Sequence, residues 1–323
     1  MYFDIVACLS IIHKKGTELK GIHSHISATG RRLGIAITLN GVIFLIEFVG
    51  GLYTNSLALI SDAVHNLSDF FALILSYIAA KVVLWKSNSQ KSYGYVRVEI
   101  FVAFINALTL VIIGGYLIYR GVYRFFTPET VIGQWMVLVA FTGFIGNAVS
   151  TLLLRKDAHQ NLNAKSAYLH LLTDAVESLA VVIVGVLIYW KRWYLLDPIV
   201  SVGIGIFVMK SAWNILAETV NILTEGTPKG IDLEDVARFI RAFPEVENVH
   251  HLHIWSLSSQ FRALSAHLVV RNQSVSDCRL ITDKIEKALH ERYDINHPTL
   301  QLECEVCDNQ GTLVDIHNIP GKV

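Results

Sequence analysis

Charge is scarce in this chain. Of 323 residues only 17% are Asp, Glu, Lys or Arg, whereas 53% are hydrophobic. Soluble domains carry more charge than this, so part of the chain requires lipid as its solvent. Basic and acidic residues number 27 each, which leaves no cationic surplus and excludes nucleic acid as a partner. The four cysteines, Cys8, Cys278, Cys304 and Cys307, are too few for a disulfide scaffold. No long repeat and no low-complexity stretch is present. The H-E-x-x-H signature of a zinc protease is missing too: "HERYD" (290–294) lacks the second His and lies in the polar part of the chain. The N-terminal stretch "MYFDIVACLSIIHKK" is apolar first and basic afterwards, the reverse of a secretory signal, and too short to span. It either lies on the membrane surface or reflects a misassigned start.

What the chain has in abundance is long apolar runs. A spanning helix needs about 20 mostly apolar residues, and six segments meet that length: 33–53, 57–84, 98–121, 134–154, 166–190 and 195–216. Turn and charge signals separate them, among them "YTNS", "TPET" and the "DP" that opens the sixth. Lys and Arg crowd one side: Lys14, Lys15, Lys20, Arg31 and Arg32, then Lys81, Lys86, Lys91 and Arg97, then Arg155, Lys156 and Lys165. Arg120, Arg124, Lys191 and Arg192 fall on the other. The richer side is cytoplasmic, and six spans return the chain to it, so both termini are expected in the cytoplasm of a multi-pass protein of the cell (inner) membrane.

After "TEGTPKG" (224–230) the composition turns soluble. "DLEDVARFIRAF" reads as an amphipathic helix with an acidic first turn, "VENVHHLHIWSL" and "RALSAHLVV" as strands, "VSDCRLITDKIEKALHERY" as a helix and "HPTLQLECEV" as a last strand. The fold class expected is an α-helical membrane protein, a six-span bundle followed by a small α-β-β-α-β domain of α+β type. Its parts are an N-terminal tail (1–30), the bundle (31–220), the soluble domain (225–308) and a C-terminal tail (309–323).

Ionisable groups inside the apolar runs carry the chemistry. "SDAVHNLSD" (61–69) sets His65 and Asp69 four residues apart, and "HLLTD" does the same with His170 and Asp174. On a helix that spacing is about 40° of rotation and 6 Å of rise, so each pair reaches one point. Two imidazoles and two carboxylates at about 2.0–2.2 Å suit a tetrahedral Zn²⁺. A lone intramembrane His or Asp has an ordinary explanation as an interhelical hydrogen bond. Two Asp at about 2.5–3.5 kcal/mol each, with no Lys or Arg deep in any span, favour a divalent cation instead. Asp62 is an extra ligand, a proton site, part of a cavity mouth or a hydrated helix end. Glu47 lines the same cavity or bonds between helices, and Glu177 adds negative potential. Because such a site binds metal only after losing protons, alternate exposure to two sides exchanges Zn²⁺ for H⁺.

At these residues the chain resembles the cation diffusion facilitator family of proton-coupled zinc transporters. "FLIEFVGGLYTNSLALISDAVHNLSD", "SYGYVRVEIFVAFINA", "HLLTDAVESLAVVI" and "VHHLHIWSL" carry the resemblance in order, over residues 30–305. It implies a six-span homodimer with a ferredoxin-like cytoplasmic domain, alternating access, metal/proton antiport, and His65, Asp69, His170 and Asp174 as the transport site. The His-Asp pair on the second span resembles the zinc-selective branch; ligand type alone also admits Cd²⁺ and Co²⁺. By motif position His250, His267 and Glu303 resemble ligands of a regulatory metal in the soluble domain. His253 is expected on the face of His250, and His251 on the other. Cys304 and Cys307 form C-x-x-C, half a zinc site, which His23 and His25 of "HSH" would complete as in some relatives. The chain departs from many relatives in its loops: "RKDAHQNLNAKSA" holds His159 alone, and "WKSNSQKSYGY" has neither His nor Asp.

Three rival functions make different demands on the sequence. An intramembrane metal enzyme needs an open metal position and a general base, and four protein ligands leave no such position. A metal sensor needs an effector domain beyond the small α+β domain. A passive channel differs from an antiporter in ignoring an imposed pH gradient.

Overall fold

A computed structural model describes residues 22–83, 85–158 and 162–304. Cys307, the apolar N-terminal stretch and His159 lie outside the described residues. The chain divides into two compact units, Met1–Ala217 and Glu218–Val323.

The first unit is helical: α1 (Ile22–Thr54), α2 (Leu57–Val83), α3 (Arg97–Phe126), α4 (Gly133–Ala158), α5 (Leu162–Lys191) and α6 (Leu196–Leu223), the last running into the second unit. Among the described residues four helices are long and apolar enough to cross a membrane: α3, 133–153 of α4, 168–191 of α5 and α6. Thr38–Thr54 of α1 is a shorter apolar stretch. α2 has 27 residues, about 40 Å at 1.5 Å per residue. It carries the polar groups Asp62, His65, Asn66 and Asp69 without interruption of the helix. α1 begins at Ile22, well before its apolar run, so the helix carries "HSH" and the basic pair Arg31–Arg32 along its first turns. Outward faces are apolar, as lipid requires: Ile112, Tyr116, Leu152 and Val176 are all well exposed.

α1 packs on α2 and α4, α2 on α3, and α4 on α5. Where α1 turns into α2, Asn55 takes a left-handed backbone (φ 58), a conformation Asn tolerates. Ser56 then caps α2, its hydroxyl accepting the Leu59 N–H at 3.1 Å.

The second unit realises the expected order: α7 (Leu233–Arg241), β1 (Val246–Ser256), β2 (Arg262–Val270), α8 (Val275–Tyr293) and β3 (His297–Glu303). The sheet order is β1-β2-β3, antiparallel between β1 and β2 and parallel between β2 and β3. Asp232 caps α7 and Ser274 caps α8 through their side-chain oxygens. Val236, Ile240, Val249, Leu252, Leu264, Leu268, Ile285 and Leu289 fill the space between helices and sheet.

One local expectation is overturned. Strand alternation put His251 on the face opposite His250, but β1 carries a bulge between His250 and His253, which pair with His267 and Ser265. Three residues of β1 thus span two of β2, and His251 has φ 52. The extra residue resets the alternation: His251 turns toward His250 and His267, with ring centroids 5.0 and 4.7 Å away. His253 shares the His250 face as expected, but only because of the bulge: three residues on from His250, it pairs with Ser265, two residues from His267, and it is exposed.

Candidate metal centre

α2 and α5 each bring one imidazole and one carboxylate to a common point. His65 Nε2 stands 3.1 Å from Asp174 Oδ1 and 3.5 Å from Asp69 Oδ2, and His170 Nε2 stands 3.0 Å from Asp69 Oδ2. Four donors about 2.0–2.2 Å from one ion stand about 3.3–3.6 Å apart, so these separations are close to the edges of a tetrahedron around a zinc-sized cation. One ligand atom from each residue falls within 4.8 Å of all the others. His170 Nε2 and Asp69 Oδ2 lie close without making a hydrogen bond, so the two atoms converge rather than face each other. Asp174 is 1% exposed, while the side chains of Asp69 and His170 keep 14% and 22%. The site is therefore sealed at Asp174 and less buried at Asp69 and His170.

The remaining intramembrane groups form a polar layer around it. Glu47, Asp62, Asn66, Asn147 and Ser178 are all buried. Asn66 Nδ2 donates to Glu47 Oε2 at 2.7 Å, and the Ser178 hydroxyl donates to Asp62 Oδ2 at 3.1 Å. Glu177 is partly buried on α5, one turn beyond Asp174. Asp62 and Glu47 are therefore interior groups, and the hydrated helix end expected as one reading of Asp62 is not what the fold makes of it.

A second cluster lies on the sheet. His250 Nε2 is 3.2 Å from Glu303 Oε2, and His267 Nδ1 is 2.7 Å from Glu303 Oε1. Neither nitrogen makes a hydrogen bond. The pairing His250↔His267 and the next-but-one position on β3 put these three on one face, and the bulge adds His251. Partial burial, reinforced by His267 and His250 alongside, holds the His251 pKa below the ordinary imidazole range, which keeps the ring neutral and free to ligate near neutral pH. Cys304 is exposed at the end of β3. His23 and His25 fall in the first turn of α1.

Sequence reading passed over several residues that build these sites. Asp197 was read only as the start of the sixth run, and Asn66, Asn147 and Ser178 not at all. Their signal is a polar residue of hydrogen-bonding type inside an apolar run, which marks an interhelical contact without naming the partner.

Two family models divide the chain between them. The cation efflux transmembrane domain matches residues 33–224, and the cation efflux protein cytoplasmic domain matches 228–305. The chain belongs to the cation diffusion facilitator family. Members of this family are cation efflux transporters and not enzymes, and this one is a multi-pass membrane protein. Among its family relatives is the cadmium, cobalt and zinc/H(+)-K(+) antiporter of Bacillus subtilis, 36% identical over 296 residues, covering 90% of this chain and 95% of that protein. The metal cation efflux system protein CzcD of Cupriavidus metallidurans is 35% identical over 301 residues, 93% of this chain and 95% of that one. The zinc transporter ZitB of Escherichia coli is 34% identical over 293 residues, 88% and 93% of the two chains.

Proposed function

We propose that this transporter exports divalent metal cations, Zn²⁺ first, as a metal/proton antiporter working by alternating access. Its transmembrane domain (31–220) holds six spans, α1 and α2 being the first two. His65, Asp69, His170 and Asp174 form the transport site. The observation that carries the reading is the convergence of two donors from α2 and two from α5 at tetrahedral spacing. Two ionised carboxylates balance a dication, and two neutral imidazoles complete its shell without added charge. When the site opens to the proton-rich side, the same groups accept protons and the cation leaves. Inward proton flow then drives metal outward. The names of the relatives, which print zinc, cadmium and cobalt and in two cases H⁺ together with K⁺, favour the same cargo and a proton counter-ion, with Cd²⁺ and Co²⁺ as further substrates.

In the soluble domain (225–308), His250, His267 and Glu303, joined by His251, hold a regulatory metal ion that steadies a homodimer with both termini in the cytoplasm. The test is uptake of Zn²⁺, Cd²⁺, Co²⁺, Mn²⁺ and Fe²⁺ into vesicles reconstituted with the full chain, at two pH gradients. Zn²⁺ flux that follows the gradient and vanishes in Asp174→Ala is the expected result. Undiminished flux in that variant overturns the site, and gradient-blind flux makes the protein a channel.

A further inference from the structure

The four metal donors are asked to bind both the cation and the protons exchanged for it. A second carboxyl pair lies outside that quartet. Glu47 on α1 and Asp62 on α2 are both 0% exposed, and Asn66, one helical turn after Asp62, donates to Glu47 across the packed α1–α2 pair. One oxygen of each has a neutral donor: Glu47 Oε2 receives Asn66 Nδ2 at 2.7 Å, and Asp62 Oδ2 receives the Ser178 hydroxyl at 3.1 Å. Ser178 is in turn approached by Asn147 Nδ2 at 3.1 Å, so the chain of contacts crosses α1, α2, α4 and α5. The other two oxygens, Glu47 Oε1 and Asp62 Oδ1, are buried without a donor. α4 leaves room for this carboxyl: a Cβ at Gly143 would collide with Glu47 Oε1 and push the carboxyl from its place.

The titratable groups facing the pair are His65 on α2 and Asp174 and Glu177 on α5. Two ionised carboxylates do not share such a place readily, because like charges close together in a low-dielectric interior repel strongly and one oxygen of each has no donor among the described residues. One proton held between them removes one charge and supplies the missing donor.

We propose that Glu47 and Asp62 form a proton site separate from the metal quartet, holding one shared proton while the quartet is free and releasing it to solvent when a dication enters. The O–H bond broken leaves both carboxylates ionised, and the new negative charge faces the arriving 2+ ion. This inference rests on the quartet being the transport site, and gives the antiporter a counter-ion seat that the metal does not itself occupy.

The test uses the full-length protein in lipid nanodiscs. Infrared difference spectra with and without Zn²⁺ are expected to show loss of a deuterium-sensitive protonated-carboxyl stretch in the unaltered protein. That loss disappears in both Glu47→Gln and Asp62→Asn. Calorimetry in two buffers of different ionisation enthalpy counts the protons released. Glu47→Gln is expected to release about one fewer per ion while its Zn²⁺ affinity changes by less than the roughly 10–100-fold typical of losing a partner of a ligand. An unaltered protein with no such infrared change overturns the proposal without need of any variant, as does a zinc-binding Glu47→Gln with the full proton count. Should Asp174→Ala retain transport, the quartet reading itself fails. An inactive Asp174→Ala beside an unchanged proton count in Glu47→Gln removes the carboxyl pair alone.

Discussion

Asp197 at the start of α6 receives the Ser56 hydroxyl on Oδ1 at 2.5 Å and the Leu57 N–H on Oδ2 at 2.8 Å. The Ala58 N–H adds a third bond to Oδ1 at 3.2 Å. One carboxylate thus caps a helix 141 residues away in the chain, and that helix is α2, which carries His65 and Asp69. Arg124 sits 3.8 Å from the same carboxylate and donates to the Asn55 carbonyl at 2.7 Å and its side-chain oxygen at 2.6 Å.

Asp197→Ala leaves two N–H groups and one hydroxyl without their acceptor, while Arg124 keeps Asn55 and Glu129. Each buried donor left unsatisfied costs about 1–3 kcal/mol, and the expected outcome is a markedly lower unfolding temperature of the purified protein in detergent. Asp197→Asn keeps the shape and one acceptor oxygen, and its loss is expected to be smaller. Equal melting of all three proteins would show that the cap holds nothing.

The His65→Asp variant changes the donor set from two nitrogens and two oxygens to one and three. Carboxylate-rich sets suit Mn²⁺ better than imidazole does, so vesicle uptake should shift from Zn²⁺ toward Mn²⁺ and Cd²⁺. A flux ratio of Mn²⁺ to Zn²⁺ that stays constant would speak against His65 as a ligand.

The bulge in β1 predicts unequal roles for neighbouring histidines. In an Asp174→Ala background, which isolates the soluble cluster, His251→Ala is expected to weaken Zn²⁺ binding by about 10–100-fold, measured by calorimetry. His253→Ala, at the exposed end of the same face, should change it little. Equally small losses in both variants would restore plain strand alternation, which sets both rings opposite His250.

Tyr293 donates its hydroxyl to Asp235 Oδ2 at 2.7 Å. Burial first, and then that bond and the carboxylate's charge, raise its pKa above the usual value near 10. A raised pKa means the folded state holds the proton more firmly, so this contribution is complete below about pH 10 and is lost as pH rises through the folded value. Tyrosinate absorbance of the unaltered protein minus that of Tyr293→Phe should titrate later than an ordinary tyrosine, and Asp235→Asn should bring it earlier.

The helical order was legible because long apolar runs have few alternatives, and the quartet because i, i+4 spacing is a one-helix property. His65 with Asp69 and His170 with Asp174 could each be paired from the chain alone. What joins the pairs is the packing of α2 beside α5, which two local spacings imply only if a common cation is assumed. Asp197 and Ser178 were missed for the same reason: their partners lie far along the chain. His251 was misplaced because strand alternation has a fixed period of two, and one extra residue in β1 breaks it without any mark in composition. The soluble elements were legible from an acidic first turn, helical spacing and strand alternation, and the structure adds the caps Asp232 and Ser274.

On the proposed reading, dividing the donors evenly between α2 and α5 makes affinity a measure of the gap between them. Metal–ligand bonds of about 2.0–2.2 Å tolerate little stretching, so a parting of the helices by a small fraction of their own width would turn a chelate into two half-empty claws. One rod leaning away from the other would then loosen the grip, and the protons exchanged for the cation would finish its release.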